Sequence, residues 1–91
     1  MLINSLNFQR TCYACPEQYD VFMPETGEQV GYVRLRWGNL TCEAPDAGGE
    51  LIYSTYIGDG LTGIFENNEQ RRSCLSDIAD RILNWDKISE V

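Results

Sequence analysis

The feature that most constrains this fold is a pair of alternating segments separated by Gly38-Asn39. Polar and apolar side chains alternate from Val30 to Trp37, and the alternation continues from Leu40 to Ala44. A period of two is typical of β-strands that bury one face. Because Gly and Asn accept the positive φ angles of a tight turn, Gly38-Asn39 predicts a two-residue β-hairpin loop.

A two-residue loop also predicts the register of the hairpin. On one face it pairs six core-forming residues, and on the other it pairs polar residues, including two of opposite charge. The predicted core pairs are Trp37 with Leu40, Leu35 with Cys42 and Val33 with Ala44. The predicted polar pairs are Arg36 with Thr41 and Arg34 with Glu43.

The rest of the chain predicts further strands. Residues 5–13 alternate weakly, Gln18 to Met23 is rich in β-forming residues, and Leu51 to Ile57 is dense in Tyr, Ile and Thr. Pro24-Glu25-Thr26-Gly27 predicts a turn, since Pro presets φ and Gly accepts a positive φ. Asp59-Gly60 predicts a turn into a last short strand from Leu61 to Phe65.

A helix is predicted to begin near Asn67 or Asn68, where Asn67 and Gln70 have the spacing of a capping box. Six apolar residues then form one stripe at helical spacing, while Arg71, Arg72 and Asp77 fall on the opposite side. The stripe consists of Cys74, Leu75, Ile78, Ala79, Ile82 and Leu83. Since only a sheet face can cover it, residues 1–91 are predicted to form a single α+β domain, an antiparallel meander of four to six strands with one C-terminal amphipathic helix on one face.

The net charge and the residue composition weigh against several classes of function. Fourteen acidic and seven basic residues give a net charge of −7, which disfavours binding to nucleic acid or to anionic membranes. The chain contains no His, the commonest general base, and it has no paired-carboxylate signature, so a non-enzymatic role is expected. Met1 to Asn7 lacks the basic start of a signal peptide, and no segment is apolar enough to span a membrane, so a cytoplasmic location is expected.

The cysteines raise the question of a metal. Cys12 and Cys15 form a C-x-x-C pair, and Cys42 and Cys74 follow at long intervals. Four thiolates suffice for a structural zinc site, but a second C-x-x-C pair is missing. Because Cys42 and Cys74 fall on predicted core faces, the preferred interpretation is reduced structural thiols with no cofactor. A redox role for Cys12 and Cys15 is disfavoured, since a strand rather than a helix is predicted after them.

Two further motifs are interpreted as loops. Gly58 to Gly63 matches G-x-G-x-x-G, but the predicted helix begins too late to place its N-terminus on a pyrophosphate, which favours a Gly-rich turn. Acidic side chains suited to calcium recur in the predicted loops, but without the spacing of a calcium-binding loop, so a solvated rim is favoured. These residues are Glu43, Asp46, Glu50, Asp59, Glu66 and Glu69.

The outer sheet face offers the candidate binding site. Tyr32, Arg34 and Arg36 share it, and Tyr53 or Tyr56 from the next strand is expected to join them. Tyr and Arg are enriched at the energetic centres of protein interfaces. The plainer alternative is an ordinary solvated face with one Arg34–Glu43 ion pair.

Two segments of the chain resemble a family of small bacterial and phage-associated proteins of unknown function. They are Cys15-Pro16-Glu17-Gln18-Tyr19-Asp20-Val21-Phe22 and Gly31-Tyr32-Val33-Arg34-Leu35-Arg36-Trp37-Gly38. The resemblance implies a cytoplasmic protein of a bacterium, encoded by the bacterium itself or by a prophage. It implies no catalytic residues.

The functional hypotheses follow from these features. The leading one is a protein-interaction module that binds an unidentified protein partner through Tyr32, Arg34 and Arg36, as a monomer or a weak homodimer. An acidic mimic of nucleic acid that inhibits a DNA-binding protein is the first alternative, resting on the charge of −7. A zinc-stabilised fold built on Cys12, Cys15, Cys42 and Cys74 is the second.

Overall fold

A computed structural model describes residues 1–12 and 16–85. Six strands form one antiparallel sheet in the order of the chain, and a single helix lies against one face. The elements are β1 Leu2–Ile3, β2 Leu6–Cys12, β3 Glu17–Phe22, β4 Gln29–Arg36, β5 Asn39–Ala44, β6 Glu50–Tyr56 and α1 Asn68–Leu83. The predicted α+β fold, an antiparallel sheet covered by one C-terminal helix, is confirmed.

The core lies between the helix and the inner face of the sheet. Each central strand buries alternate residues, as in the pattern of Glu17, Tyr19 and Val21 on β3. From the predicted helix stripe, Leu75, Ile78, Ala79 and Ile82 are buried, whereas Cys74 and Leu83 pack at the margin of the core. The helix packs closely on the sheet at Gly31, where an added Cβ would lie 2.8 Å from Ile82 Cδ1.

The ends of the helix follow from local hydrogen bonds. Asn67 is the N-cap, and its Oδ1 accepts a hydrogen bond from Gln70 N at 2.8 Å. In a regular capping box, the Gln70 side chain would accept a hydrogen bond from the backbone N–H of Asn67. Here Gln70 Oε1 accepts instead from Glu66 N, one residue earlier. At the other end, Asn84 caps the last turn by donating to Asp80 O.

The predicted register of the β4–β5 hairpin is wrong by two residues. Leu35 pairs with Leu40 and Val33 with Cys42, so the loop is Trp37-Gly38, with φ angles of 54° and 73°. A shift of two residues preserves the faces of a strand, and the other predicted core residues therefore remain buried. Trp37 does not: it belongs to the turn and is 62% exposed.

Tertiary contacts explain this choice of turn. Asn39 Nδ2 donates to Ser54 Oγ at 3.0 Å and to Thr55 O at 2.9 Å, which holds Asn39 in β5 beside β6. Gly38 N donates to Thr62 O, and Gly38 O accepts from Ile57 N. The turn is therefore bonded to β6 and to the following loop, contacts that a turn at Gly38-Asn39 would disrupt.

Two other local predictions have different outcomes. The turn after β3 is confirmed, since Gly27 has φ 76° and its N–H donates to Met23 O. The predicted strand from Leu61 to Phe65 is wrong, because this segment is irregular. Its backbone is bonded elsewhere: Gly63 O accepts from Glu17 N, and Phe65 N donates to the Glu17 side chain.

Candidate functional site

The outer face of β4 carries two adjacent arginines with neutral cross-strand neighbours. Arg34 lies between Gln18 on β3 and Thr41 on β5, and Arg36 lies opposite Asn39. The predicted Arg34–Glu43 pair is not formed, because the register shift places Glu43 opposite Tyr32. Within the described part of the chain, neither arginine takes part in an ion pair.

Exposed aromatic and aliphatic side chains flank these arginines. Trp37 follows Arg36 in the turn, and Tyr56 and Leu61 are 78% and 76% exposed. A cleft of about 390 Å³ on one side of the arginines is lined by Pro16, Gln18, Arg34, Arg36, Trp37 and Leu61. A second cleft, of about 380 Å³, is lined by Arg34, Arg36, Trp37, Asn39, Thr41 and Tyr56.

We call Arg34, Arg36, Trp37, Tyr56 and Leu61 the arginine–aromatic patch. Trp37 and Leu61 were missed by the sequence analysis, Trp37 because it was assigned to the core and Leu61 because it was assigned to a strand. Of the two tyrosines considered, Tyr56 lines the patch, whereas Tyr53 packs against the core on the helix side.

Tyr32 belongs to the same face but has different surroundings. Its cross-strand neighbours are Asp20 and Glu43, and its hydroxyl donates to Gln18 Oε1 at 2.6 Å. It lines neither of the two clefts beside Arg34 and Arg36. Tyr32 therefore orders Gln18 at the border of the patch rather than contributing to its open surface.

The Gly-rich motif supports the patch. Asp59 Oδ1 accepts hydrogen bonds from Leu61 N at 2.9 Å and from Thr62 Oγ1 at 3.2 Å, so its carboxylate is directed into its own loop. Thr62 O accepts from Gly38 N at 2.7 Å. The loop is thereby held against the Trp37-Gly38 turn, which places Leu61 beside the arginines. No helix begins within the motif, in agreement with the predicted Gly-rich turn.

A separate polar cluster lies in the core, around Glu17. Glu17 is 1% exposed, and Arg71 Nε donates to its Oε2 at 2.6 Å. The Tyr19 hydroxyl also donates to Oε2, while Phe65 N donates to Oε1 at 3.1 Å and Arg10 Nη2 lies 3.6 Å from Oε1. Arg71 was assigned by the sequence analysis to the solvent side of the helix, and this cluster corrects that assignment.

The ionisation of the cluster follows from these contacts. Burial opposes the charged form of Glu17, but hydrogen bonds from Arg71, Tyr19 and the Phe65 backbone, with the attraction of Arg71, hold its pKa below the ordinary value. Burial and the neighbouring Glu17 carboxylate raise the pKa of Tyr19. Because Glu17 is ionised, fully bonded and inaccessible, it has a structural role.

The described cysteines do not lie together at a metal site. Cys42 is fully buried, and Cys12 and Cys74 are half-buried. Among residues 1–12 and 16–85, no three Cys, Asp or Glu side chains are grouped closely enough to hold a metal ion. The fourth candidate ligand, Cys15, lies outside the described residues. The acidic rim likewise forms no such group among the described residues, and Glu43 Oε1 instead accepts from Gly48 N.

Comparison with protein-family models, curated proteins and solved structures gives no significant match. The resemblance to small bacterial and phage-associated proteins therefore stays a prediction. Within the described residues, no helix combines the length and the apolar character required to cross a bilayer.

Proposed function

We propose that this protein is a non-catalytic, cytoplasmic binding module whose arginine–aromatic patch holds an acidic segment of a partner protein. The observation that carries the proposal is the pair Arg34 and Arg36, which form no ion pair with any described residue in a chain where acidic residues outnumber basic ones by two to one. Arg10 and Arg71, by contrast, both contact Glu17. Unpaired guanidinium groups on a sheet face are ready to bind carboxylates in the two-pronged geometry that Arg favours.

The composition of the patch indicates the kind of segment it fits. Two arginines match one or two carboxylates, whereas a nucleic-acid backbone needs a longer basic surface. Trp37 and Leu61 offer apolar contact area beside them, which favours a segment that also carries an aromatic or aliphatic side chain. Arg and Trp are the residue types that most often dominate interface energetics.

A displayed library of random peptides, selected on the purified full chain, tests this proposal. Selected peptides are expected to be enriched in Asp and Glu next to an apolar residue. The double variant Arg34→Ala/Arg36→Ala should bind them at least about tenfold more weakly, as expected for loss of hot-spot arginines. Because neither side chain has a hydrogen bond or an ion pair within the described residues, the variant should retain its fold, which circular dichroism checks.

Arg72→Ala is the matched control for the single variants Arg34→Ala and Arg36→Ala. Arg72 is exposed on α1, away from the patch, and its loss changes the net charge by the same amount. It should leave peptide affinity unchanged. Failure to enrich any peptide, or equal binding by the double variant, would refute the proposal.

A second candidate function is an acidic mimic of nucleic acid. It is favoured by acidic residues at the end of the sheet opposite the arginine–aromatic patch. The β3–β4 and β5–β6 connections lie at one end of the meander, and residues 20–29 and 43–50 carry six acids with no Lys or Arg. They are Asp20, Glu25, Glu28, Glu43, Asp46 and Glu50. This concentration of charge would attract a basic protein surface.

Competition for duplex DNA tests this second candidate. Full chain is titrated into complexes of duplex DNA with each of a panel of basic DNA-binding domains. A mimic should displace DNA, and Glu25→Gln/Glu28→Gln/Asp46→Asn should weaken displacement more than Glu66→Gln/Glu69→Gln/Asp77→Asn, which removes the same charge elsewhere. Equal effects of the two triple variants, or no displacement, would exclude a mimic at this end.

A further inference from the structure

The two edges of the sheet differ in how they are protected against pairing with another strand. At one edge, the short β1 covers the start of β2, and the N-terminal amine and Met1 O both bond to the Phe8 backbone. The exposed remainder of β2 carries Arg10 and a bulge between Arg10 and Cys12. Short strands, charges and bulges are the devices that keep edge strands from pairing.

The residues of β6 itself offer little of this protection, and one charge from the helix, Arg81, lies beside Leu51 to Thr55. Its seven residues contain no Pro and no Lys or Arg, and Glu50 at its first position is its only charged residue. Its pairing with β5 is irregular at Ile52, and Tyr53 to Tyr56 pair regularly with β5. Within residues 1–12 and 16–85, no strand pairs with the far side of β6.

Hydrogen bonds to the neighbouring elements define which backbone groups face this edge. Thr55 O accepts from Asn39 Nδ2, and Ile57 N donates to Gly38 O, so residues 55 and 57 direct their backbone groups toward β5 and its turn. Because successive residues of a strand direct N–H and C=O to opposite sides, Ser54 and Tyr56 present theirs outward. Both residues are exposed.

We propose that β6 pairs antiparallel with β6 of a second copy of this chain, about a two-fold axis at Thr55. In this register, Ser54 lies opposite Tyr56 of the second copy and Tyr56 opposite its Ser54, which joins the outward backbone groups in four hydrogen bonds. Tyr53 lies opposite Ile57 on the helix side. All five residues from 53 to 57 then keep the face that they have in the single chain.

Several features favour a second copy of this chain as the source of the strand that pairs with β6. An antiparallel strand pair is compatible with two-fold symmetry, the commonest symmetry of homodimers. The register keeps the two Glu50 side chains apart, because they lie at opposite ends of the paired segment. Ser54 and Thr55 at the centre are small enough for the backbones to approach, and Tyr56 supplies an exposed apolar surface beside them.

The pairing would give one continuous sheet with both helices on the same face. The arginine–aromatic patches of the two copies would then lie on the opposite face, with the two Tyr56 side chains between them. Pairing of β6 depends on its backbone groups and does not require Arg34 or Arg36. An edge contact of this size is expected to be weak, with a dissociation constant of about 10 µM to 1 mM.

Sedimentation of the full chain over an approximately hundredfold concentration range tests the pairing by mass action. Wild type should shift from monomer to dimer. Ser54→Pro should remain monomeric with only a small drop in its unfolding midpoint, since Pro is tolerated where the N–H points away from the sheet and Asn39 Nδ2 keeps its bond to Thr55 O when the bond to Ser54 Oγ is lost. If that variant unfolds, Ser54→Lys places a charge at the same edge instead.

Disulfide trapping tests the register. In a chain with Cys12, Cys15 and Cys74 replaced by Ser, Thr55→Cys should form a covalent dimer on oxidation, because facing residues at a non-hydrogen-bonded position lie about 4.5 Å apart. Ser54→Cys is the matched control and should not crosslink, since its two copies would be separated by more than about 7 Å. A monomer at all concentrations, or equal crosslinking of the two variants, would overturn the proposal.

Discussion

Arg71 Nε donates to Glu17 Oε2 at 2.6 Å and joins the first turns of the helix to the first residue of β3 across 54 positions of sequence. The Glu17 side chain is fully buried, and that of Arg71 is 15% exposed. Phe65 N donates to the same carboxylate, so this one side chain also anchors the segment that leads into the helix. The contact therefore ties the N-terminal end of α1 to β3.

Replacing Glu17 should destabilise the protein far more than replacing an exposed acid. Glu17→Gln leaves Arg71 half-buried without a counter-charge, and the free energy of unfolding should fall by about 2 to 4 kcal/mol, below the usual range for a fully buried pair because Arg71 keeps some contact with water. Urea denaturation at pH 7 measures the change. Glu25→Gln, an exposed acid in the β3–β4 turn, is the control and should change stability by no more than about 0.5 kcal/mol.

The same carboxylate should make stability depend on pH in the acid range. Because the folded-state pKa of Glu17 lies below its ordinary value of 4.5, its contribution is complete above that pH and is lost as pH falls through the folded-state pKa. The stability difference between wild type and Glu17→Gln should therefore be constant near neutral pH and shrink below about pH 4.5. Urea titrations at several pH values measure it, and a difference independent of pH would contradict the assigned ionisation.

The observed hairpin register predicts that Trp37 can be replaced without loss of stability. Trp37 has a positive φ of 54° and precedes Gly38 in the turn, and Asn-Gly is the preferred pair at these two positions. Trp37→Asn should therefore leave stability unchanged or raise it by up to about 1 kcal/mol.

A register with Trp37 in the core predicts instead a loss of about 3 to 5 kcal/mol for the same change. Urea denaturation distinguishes the two registers. Leu35→Ala, at a fully buried position of the same strand, serves as the positive control and should cost about 2 to 5 kcal/mol.

Thiol reactivity should separate the cysteines by burial. Burial raises the pKa of Cys42 to about 12, with the nearby Glu43 carboxylate adding to the shift against a backbone hydrogen bond at Tyr32. At pH 8 such a thiol is ionised about a thousandfold less than an ordinary one. Iodoacetamide should modify half-buried Cys12 well before Cys42, which should react only at the rate of unfolding.

Mass spectrometry of alkylated peptides follows the two sites separately. In guanidinium chloride the difference between Cys12 and Cys42 should disappear, because both thiols are then exposed to solvent. Comparable rates for the two sites in the folded protein would show that Cys42 is accessible, contrary to its place in the core.

Residue pattern alone was enough to predict the sheet, the helix and most of their buried faces. Val33, Leu35, Leu40, Cys42 and Ala44 are buried as predicted, because alternation determines the face of a strand even when the register shifts by two. The helix stripe succeeded for the same reason, since a period near 3.6 is a property of the local chain. Arg34 and Arg36 were likewise placed correctly on the outer face.

Contacts between distant segments decided what the pattern left open. Local turn preference favours Gly38-Asn39, but the bonds of Asn39 to β6 and of Gly38 to Ile57 and Thr62 select Trp37-Gly38. That selection separates Arg34 from Glu43 and so creates the unpaired charges of the patch.

The Glu17 cluster was not predicted, because it too depends on contacts between distant segments. One signal of it was present in the sequence. Glu17 shares its parity with Tyr19 and Val21, which indicates an inward-facing acid if the strand begins one residue earlier than predicted. The identity of its partner had no local signal, because Arg71 lies 54 residues away on the nominally polar side of the helix. Local periodicity determined which faces are apolar, and only the tertiary structure decided which charges are neutralised inside and which remain available on the surface.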